Sequence, residues 1–537
     1  MLRLAPILVV ALLLTACGSD GGGDAPPPSP TRPYYGPTDI GAGTPSPPAS
    51  TTATVTSLAD AGAGSLRQTL SEVGPDATIG FDASLSNGRV QLTSTITLSK
   101  DVTLNAAAAP GLTIDGGGAR RLVQVQTGVD AEFVGLAFTG GRAVNGSNSP
   151  GGAINTGNDA TLTLRHCTFT NNVADIGGAV RAGYDTDTLI EDCTFINNDG
   201  GGARNGFSAG AVSTNGHGVL TVRRSWFEGN TGHSGGAVYN LLQPLEIEDC
   251  VFLSNSSSGP GAAVFTDEGN WVGPSATVGG SIAVRRCWLE NNHGKEVGGA
   301  LFLWANKLDT VLVEDCVLFD NSVRNDGTSS AAKGGGLRTR GILTVRRCSF
   351  VKNLAEQQGG GMWIDGAGPF LIENCHFSNN TVERDAGGAM NLNVSGPILI
   401  DHCTIVSNFA GRACGAFWFG NKDLDITLRS SIVAFNTAGQ DHAQDQIGYQ
   451  PKDGGGNIEY PAPVGSGRRV AAGSLLTNPQ LGALQNLDYM LTMTPEPGSP
   501  ALGHAVPNAP PKIDIRGYTR DGSPDSGAVE REPTVNQ

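Results

Sequence analysis

One pattern returns along most of the chain, and it restricts the possible folds more than any other feature. Its clearest copy runs Leu343-Thr344-Val345-Arg346-Arg347-Cys348-Ser349-Phe350-Val351-Lys352-Asn353, after a Gly334-Gly335-Gly336-Leu337 strand start. Anchored on the cysteine position, the copies fall at Cys167, Cys193, Ser225, Cys250, Cys287, Cys316, Cys348, Cys375, Cys403 and Ser431, spaced 25 to 37 residues apart. Two places later an apolar residue follows every time, from Phe169 to Val433. Five places later stands an asparagine every time, from Asn172 to Asn436. No helical spacing occurs inside the unit, only short alternating runs broken by Gly and Asn. Three short strands fit each copy, so the unit reads as one coil of a parallel β-helix, with coils about 4.8 Å apart. The regular coils then extend over roughly 45–50 Å. Stacked coils share one continuous core, so the 537 residues do not divide into domains of ordinary size.

The asparagines have a physical task in such a stack. A buried turn leaves backbone donors and acceptors unpaired. Asparagine offers both a donor and an acceptor and tolerates tight turn conformations. A column of them can satisfy the turns from one coil to the next.

The residues just before each cysteine give an independent check. They run Arg165-His166, Glu191-Asp192, Arg223-Arg224, Glu248-Asp249, Arg285-Arg286, Glu314-Asp315, Arg346-Arg347, Glu373-Asn374, Asp401-His402 and Arg429-Ser430. The sign alternates coil by coil, then fails once, where Glu373 meets Asp401. Direct vertical neighbours should show this alternation, each pair being worth about 0.2–1 kcal/mol. Its larger effect is on register, since skipping a coil would set Arg on Arg. The ladder reads as structural; an ionic binding strip is the alternative.

The ends differ in kind. Arg3 followed by the apolar run Ile7 to Leu14 reads as a signal peptide over residues 1–16, too short to span a bilayer. Leu14-Thr15-Ala16-Cys17 resembles a bacterial lipobox, which implies diacylglyceryl attachment at Cys17 and places the chain in the cell envelope, anchored to the outer membrane and exposed at the surface. Residues 17–54, rich in Gly, Pro, Ser and Thr, read as a flexible tether. Gly64 to Leu70 is expected to form a short amphipathic helix with Ser65 at its N-cap, covering the open edge of the first coil. The expected layout is therefore an all-β, right-handed parallel β-helix over 55–440, with an N-terminal capping helix and an irregular C-terminal cap over 441–537. A net charge of −15 argues against nucleic acid and anionic membrane surfaces as partners.

These coils resemble the right-handed parallel β-helix, or pectin-lyase-like, superfamily. Gly-Gly-Ala-aliphatic segments (Gly151 to Ile154, Gly177 to Val180, Gly235 to Val238, Gly298 to Leu301, Gly387 to Met390) and Phe-x-x-Asn segments (Phe169 to Asn172, Phe350 to Asn353) look like the repeats of polymorphic outer-membrane proteins. That resemblance implies an adhesin passenger, here with the lipid on Cys17 as anchor. The stretches Gly455 to Ile458, Pro497 to Leu502, Asp514 to Gly517 and Gly527 to Glu530 look like the choice-of-anchor Q region of bacterial surface β-helix proteins. The acidic residue usual after its Ser-Pro-Ala segment is replaced by Gly503-His504.

The strand after Gly-Gly-Ala carries the candidate site. Its aliphatic residue points inward, so the next residue points outward. Those outward residues are Arg181, Ser213, Tyr239, Phe265, Phe302, Arg338, Trp363, Asn391 and Trp418, with Trp304 and Arg340 one outward step further. Exposed aromatics in a column suit the apolar faces of sugars, and the loops Asp199 to Ser208, Thr266 to Ser281 and Val323 to Lys333 could wall a groove. Alternatively, the rings pack beneath those loops. The ligand-binding candidates are Arg181, Tyr239, Phe265, Phe302, Trp304, Arg338, Trp363 and Trp418.

The expected function is binding of a glycan or a partner cell surface by a monomer that touches the membrane through its lipid alone. A polysaccharide lyase or glycoside hydrolase is the alternative, and a structural envelope protein a third. A lyase would call for clustered carboxylates holding Ca²⁺ and an Arg or Lys base; the strip offers Asp267, Asp365 and the Arg338/Arg340 pair without a stacked acidic cluster. Binding itself needs no cofactor. The eight cysteines of the repeat column read as buried thiols, disulfides being the alternative that export permits. No Cys-x-x-Cys or Cys/His cluster points to a metal.

Overall fold

Each coil bends at fixed places, and the bends account for the repeat. The structure, a computed structural model, describes residues 44–531 apart from 147, 202–207, 271–277, 326, 328–330, 421–422, 440–444, 464–466 and 510. The expected signal segment 1–16, the lipid-attachment candidate Cys17 and residues 17–43 of the expected tether lie outside the described residues. The clearest coil contains the strands Leu337–Arg340, Ile342–Arg346, Ser349–Val351 and Leu354–Ala355. Three strands per coil are expected from the sequence; the fourth, two residues long, is too short to show alternation. Equivalent strands pair in parallel and in register, giving sheets of fifteen, twelve, sixteen and eight strands among the described residues. The chain is thus an all-β, right-handed parallel β-helix.

Two of the bends use non-glycine residues in the left-handed conformation. Arg347 (φ 51°) turns the chain into Ser349–Val351, and its counterparts from His166 to Ser430 do the same. Lys352 (φ 57°) makes the second bend, as Asn171, Asn197, Asn291 and Asn379 do elsewhere. The third bend uses glycine in most coils, with Cys414 (φ 61°) taking the equivalent place in one of them. At Gly334 (φ +71°) a Cβ would lie 2.5 Å from the Leu337 carbonyl oxygen, too close for any side chain.

The asparagine column forms as the spacing requires. Asn321 donates from Nδ2 to Leu289 O (2.9 Å) and to Asn353 Oδ1 (3.0 Å), while its own Oδ1 accepts from the Asn292 backbone N–H at 3.0 Å. The same triad repeats from Asn172 to Asn436, where Gln446 Oε1 takes the last amide at 3.0 Å. Beside it runs a column of stacked rings, Phe138, Phe169, Phe195, Phe227 and Phe252, with centroids 4.7 to 5.0 Å apart. The nine cysteines from Cys167 to Cys414 are free and buried. Cys250 Sγ donates to Glu248 O (3.1 Å). Ser225 Oγ fills the same role, donating to Arg223 O at 2.8 Å, so the column serves the bend rather than a redox pair.

The charge ladder takes its expected register. Arg223 faces Glu248, Arg285 faces Glu314, and Glu314 faces Arg346 across adjacent strands. The next column alternates as well: Arg224 Nε reaches Asp192 at 2.8 Å, Arg286 Nε reaches Asp249 at 2.7 Å, and Arg347 Nε reaches Asp315 at 2.6 Å.

At the N-terminal end, helix Leu66–Glu72 starts at Ser65, whose hydroxyl accepts from the Gln68 N–H. Leu66 and Leu70 enter the core. Ordered pairing begins before Val55: Asn105 Nδ2 donates to Ser46 O, and Thr52 N to Thr78 O. At the other end, strands Lys452–Asp453, Ile458–Tyr460 and Leu475–Leu476 continue the stack past residue 440. The chain then runs back along one flank. An antiparallel hairpin, Gln485–Leu487 with Met490–Thr492, and the segment around Ile515, Ala528 and Val529 cover the outer face of the sixteen-stranded sheet. They bury Trp226, Val251, Trp288, Val317 and Val351. These strands are therefore apolar on both faces, and the cap is a strap along the flank as well as a closure of the end.

Candidate functional site: an aromatic and arginine strip with a cleft at its end

Parallel pairing brings the outward candidates into one column. Arg181 pairs with Ser213, Ser213 with Tyr239, Tyr239 with Phe265, Phe265 with Phe302, Phe302 with Arg338, Arg338 with Trp363, Trp363 with Asn391, and Asn391 with Trp418. A second column two residues on holds Leu241, Asp267, Trp304, Arg340, Asp365 and Asn393. From Arg181 to Arg338 are five inter-strand steps, about 24 Å.

The rings stack as the register requires. Tyr239 and Phe265 lie 5.0 Å apart at 3°, Phe265 and Phe302 5.1 Å apart at 4°. Arg338 places its guanidinium 4.5 Å from Trp363, 4.9 Å from Trp304 and 5.6 Å from Phe302. Arg340 lies 5.1 Å from Trp304, and Lys333 Nζ 5.4 Å from Trp363. Guanidinium on an aromatic face is attractive by about 0.5–2 kcal/mol, more as water is excluded.

Of the two readings of the rings, an exposed strip or packing beneath covering segments, burial favours the second for four of them. Tyr239, Phe265, Phe302 and Trp363 are only 3, 8, 9 and 4% exposed. The residues that lead into the glycine bends lie over them: Ala209 and Val297 pack with Tyr239, Phe265 and Phe302, and Ala331 joins from the side. Arg181, Trp304, Arg338 and Trp418 are half-buried. Trp418 stands apart, one coil beyond Asn391, with Ala386, Ala413 and Cys414, and with Arg412 at 6.0 Å. The middle of the strip is thus roofed and its ends are open. The expected walls, Asp199 to Ser208, Thr266 to Ser281 and Val323 to Lys333, fall in part outside the described residues.

Arg181 floors a cleft of about 530 Å³ at the N-terminal end of the strip, lined also by Tyr184, Ser213, Asn215, Tyr239 and Leu241. Its Nη1 is buried and meets no hydrogen-bond partner among the described residues. Burial pulls its pKa down, yet a guanidinium keeps its charge in water at any ordinary pH. None of the cleft-lining residues is a carboxylate. Arg338 and Arg340 are likewise without an ion pair within 4.0 Å among the described residues, whereas the ladder arginines all have one. Tyr184 and Asn215 escaped the sequence reading because they sit in the turn after the strand, where no periodicity marks them.

The carboxylates of the second column are placed differently. Burial raises the pKa of Asp267, with Arg340 opposing. Asp267 and Asp365 lie three strand steps apart, about 14 Å, beyond the ~5–9.5 Å that glycoside hydrolysis requires of a carboxyl pair. Among the described residues no group of three or more His, Cys, Asp or Glu is placed to hold a metal ion. No helix is long and apolar enough to cross a membrane among the described residues.

Fold and strip define a parallel β-helix protein with a lateral cleft. A family model described as "Right handed beta helix region" matches residues 100–273 and 152–336, the middle of the stack. No curated protein matches the chain.

Proposed function

We propose that this β-helix is a surface-displayed binding protein for glycans, and that the open N-terminal end of the strip takes an anionic sugar residue. The supporting observation is Arg181: a guanidinium on the floor of a cleft, with a buried N–H free of partners among the described residues. Leaving such a donor unpaired costs about 1–3 kcal/mol, and a carboxylate or sulfate of a sugar would relieve that cost. Tyr184, 43% exposed, offers its ring to a sugar face and Asn215 an amide to its hydroxyls, while Tyr239 is buried beneath the cleft. Display at the envelope through the lipid on Cys17 belongs to the same proposal, resting on Arg3, the Ile7 to Leu14 run and the Leu14 to Cys17 motif.

A glycan array with the purified chain tests it. Acidic glycans should bind, and Arg181→Ala should weaken them by tenfold or more, about 1.4 kcal/mol. Binding that survives Arg181→Ala, or that ignores glycan charge, would remove the cleft from the account. Release of reducing or unsaturated ends during incubation would replace a binder by an enzyme. No binding to any glycan leaves the purely structural role.

A further inference from the structure

A second cleft lies on another flank, at the seam between the stack and the C-terminal strap. It encloses about 300 Å³, the share of liquid volume taken by about ten waters. Trp288 and Val317 line it from the stack and Met490 and Ile515 from the strap; each is at most 7% exposed, so they form an apolar floor, and the exposed ring at the cleft is that of Tyr489. At its mouth stands the two-residue turn Asp488-Tyr489 between the hairpin strands.

Two features of this mouth are unusual. Both turn residues have positive φ, 50° at Asp488 and 70° at Tyr489. Such a turn favours Asn-Gly, and a tyrosine there carries a steric cost. Its ring gains little packing in return, being 63% exposed. The second feature is charge. Arg286 is taken by Asp249 (2.7 Å), Asp315 by Arg347 (2.6 Å), and Arg516 by Asp514 (2.7 Å). Asp488 alone among the charged lining residues has no ion pair among the described residues. The cleft therefore offers an apolar floor, an exposed aromatic side chain held at a conformational cost, and beside it an exposed carboxylate with no ion pair among the described residues.

We infer that this seam binds a small amphipathic cation: an apolar body of about ten heavy atoms lying over the edges of Trp288, Val317, Met490 and Ile515 and against the ring of Tyr489, with a protonated amine on the Asp488 carboxylate. The inference is independent of the glycan cleft, which shares no residue with it.

Calorimetric titration of the full chain with 2-phenylethylamine, and with phenylacetate as the same ring bearing the opposite charge, tests it. The amine should bind and phenylacetate should bind at least tenfold more weakly. Asp488→Asn should weaken the amine about tenfold. Tyr489→Gly should also weaken it while keeping or raising the thermal midpoint, because glycine accepts the positive φ. Absence of amine binding up to about 10 mM, where a fragment contributes less than about 3 kcal/mol, overturns the proposal. Equal binding of phenylacetate, or unchanged binding in both variants, overturns it too. If a chain ending at Arg531 binds the amine and the full chain does not, the seam belongs to the chain's own terminus and the proposal fails.

Discussion

Glu373 and Asp401 are register partners on adjacent strands, one carboxylate beside another where the ladder elsewhere sets a carboxylate beside a guanidinium. Burial, then the Asp401 charge, raises Glu373. Burial also works to raise Asp401, but hydrogen bonds from His402 and Arg429 outweigh it and hold that carboxyl low. The neighbouring column changes in the same coils, from Arg or Asp to Asn374, His402 and Ser430. These are the residues on which the strap is seated. Asn374 Nδ2 donates to Ile513 O (2.8 Å), Arg520 Nη2 to Asn374 Oδ1 (2.8 Å), Val506 N to Ser430 Oγ (3.0 Å), and Gly527 N to Ser430 O (2.8 Å). The break in the charge pattern marks where solvent gives way to a covering segment.

Arg520 is the centre of that seat, and its removal should free the strap. Its side chain is 3% exposed and pairs with Glu530 at 3.1 Å, while its other N–H groups reach Asp525 O and Gly527 O. Breaking a buried pair from one side costs about 3–5 kcal/mol. In Arg520→Ala, amide exchange over residues 485–531 should accelerate by two orders of magnitude or more while the phenylalanine coils keep their protection. Uniform loss across the whole chain would mean that strap and stack unfold as one unit.

His376 gives the fold an acid limit. It lies between Ser349 and Thr404 in its column, fully buried, and neither ring nitrogen has a hydrogen-bond partner among the described residues. Burial lowers its pKa to about 3. The unfolded chain takes up a proton below about 6.5, the folded chain only near that lowered value, so this histidine's contribution is complete above about 6.5 and is lost as pH falls. The slope is about 1.4 kcal/mol per pH unit. Urea titrations between pH 6 and 4 should show His376→Leu losing one proton's worth of that slope, whatever its absolute stability. Parallel pH curves for the two chains would mean that His376 is protonated in the fold.

Removing one asparagine from the middle of the column should cost more than an ordinary core truncation. Asn321→Ala leaves Leu289 O and the Asn292 N–H without their partners inside a dry turn. At about 1–3 kcal/mol for each buried group stranded, the loss should reach about 3 kcal/mol or more. The urea midpoint gives its size, and exchange at the Asn292 amide its place. Stability within about 0.5 kcal/mol of the parent would show that water or backbone movement repairs the turn.

How much of this could be read from the residues depends on whether the signal repeats. The column through Asn321 and the pairing of Arg286 with Asp249 recur in coil after coil, so spacing alone located them; the bend at Arg347 has the same period but was not legible, because the residue that makes it changes among Arg, Asp, His, Asn and Ser. Ser65 announced its helix by ordinary capping chemistry. The strip was legible as a column but not as a surface, because burial of Phe265 and Phe302 depends on Ala209 and Val297 in irregular segments that carry no period. The strap was hidden for a related reason. Trp226-Phe227 and Val251-Phe252 are apolar on both faces, a local sign of double burial, yet what covers them comes from residues 490–529, far away in sequence. Tyr184 and Tyr489, which shape the two clefts, sit in turns whose conformation no alternating pattern specifies.

The ionic column should matter for register more than for total stability, and a charge swap separates these effects. Arg286 and Asp249 lie 2.7 Å apart with side chains 46 and 32% exposed, so their attraction is screened and worth about 0.2–1 kcal/mol. Asp249→Arg sets like charges one above another between Arg224 and Arg286, and Arg286→Asp does so between Asp249 and Asp315. Each single reversal should lower the urea midpoint by the equivalent of about 1 kcal/mol. The double variant repairs the central pair. It also brings the guanidinium introduced at position 249 against Arg224 and the carboxylate introduced at position 286 against Asp315, so it should recover only part of the combined loss. A ladder makes each charge answer to two neighbours, and the shortfall measures the second one. The coupling should shrink in about 1 M salt, where the screening length falls to about 3 Å. Strict additivity of the two reversals at low salt would show that the column carries no vertical interaction, and the alternation would then need a cause other than contact between coils.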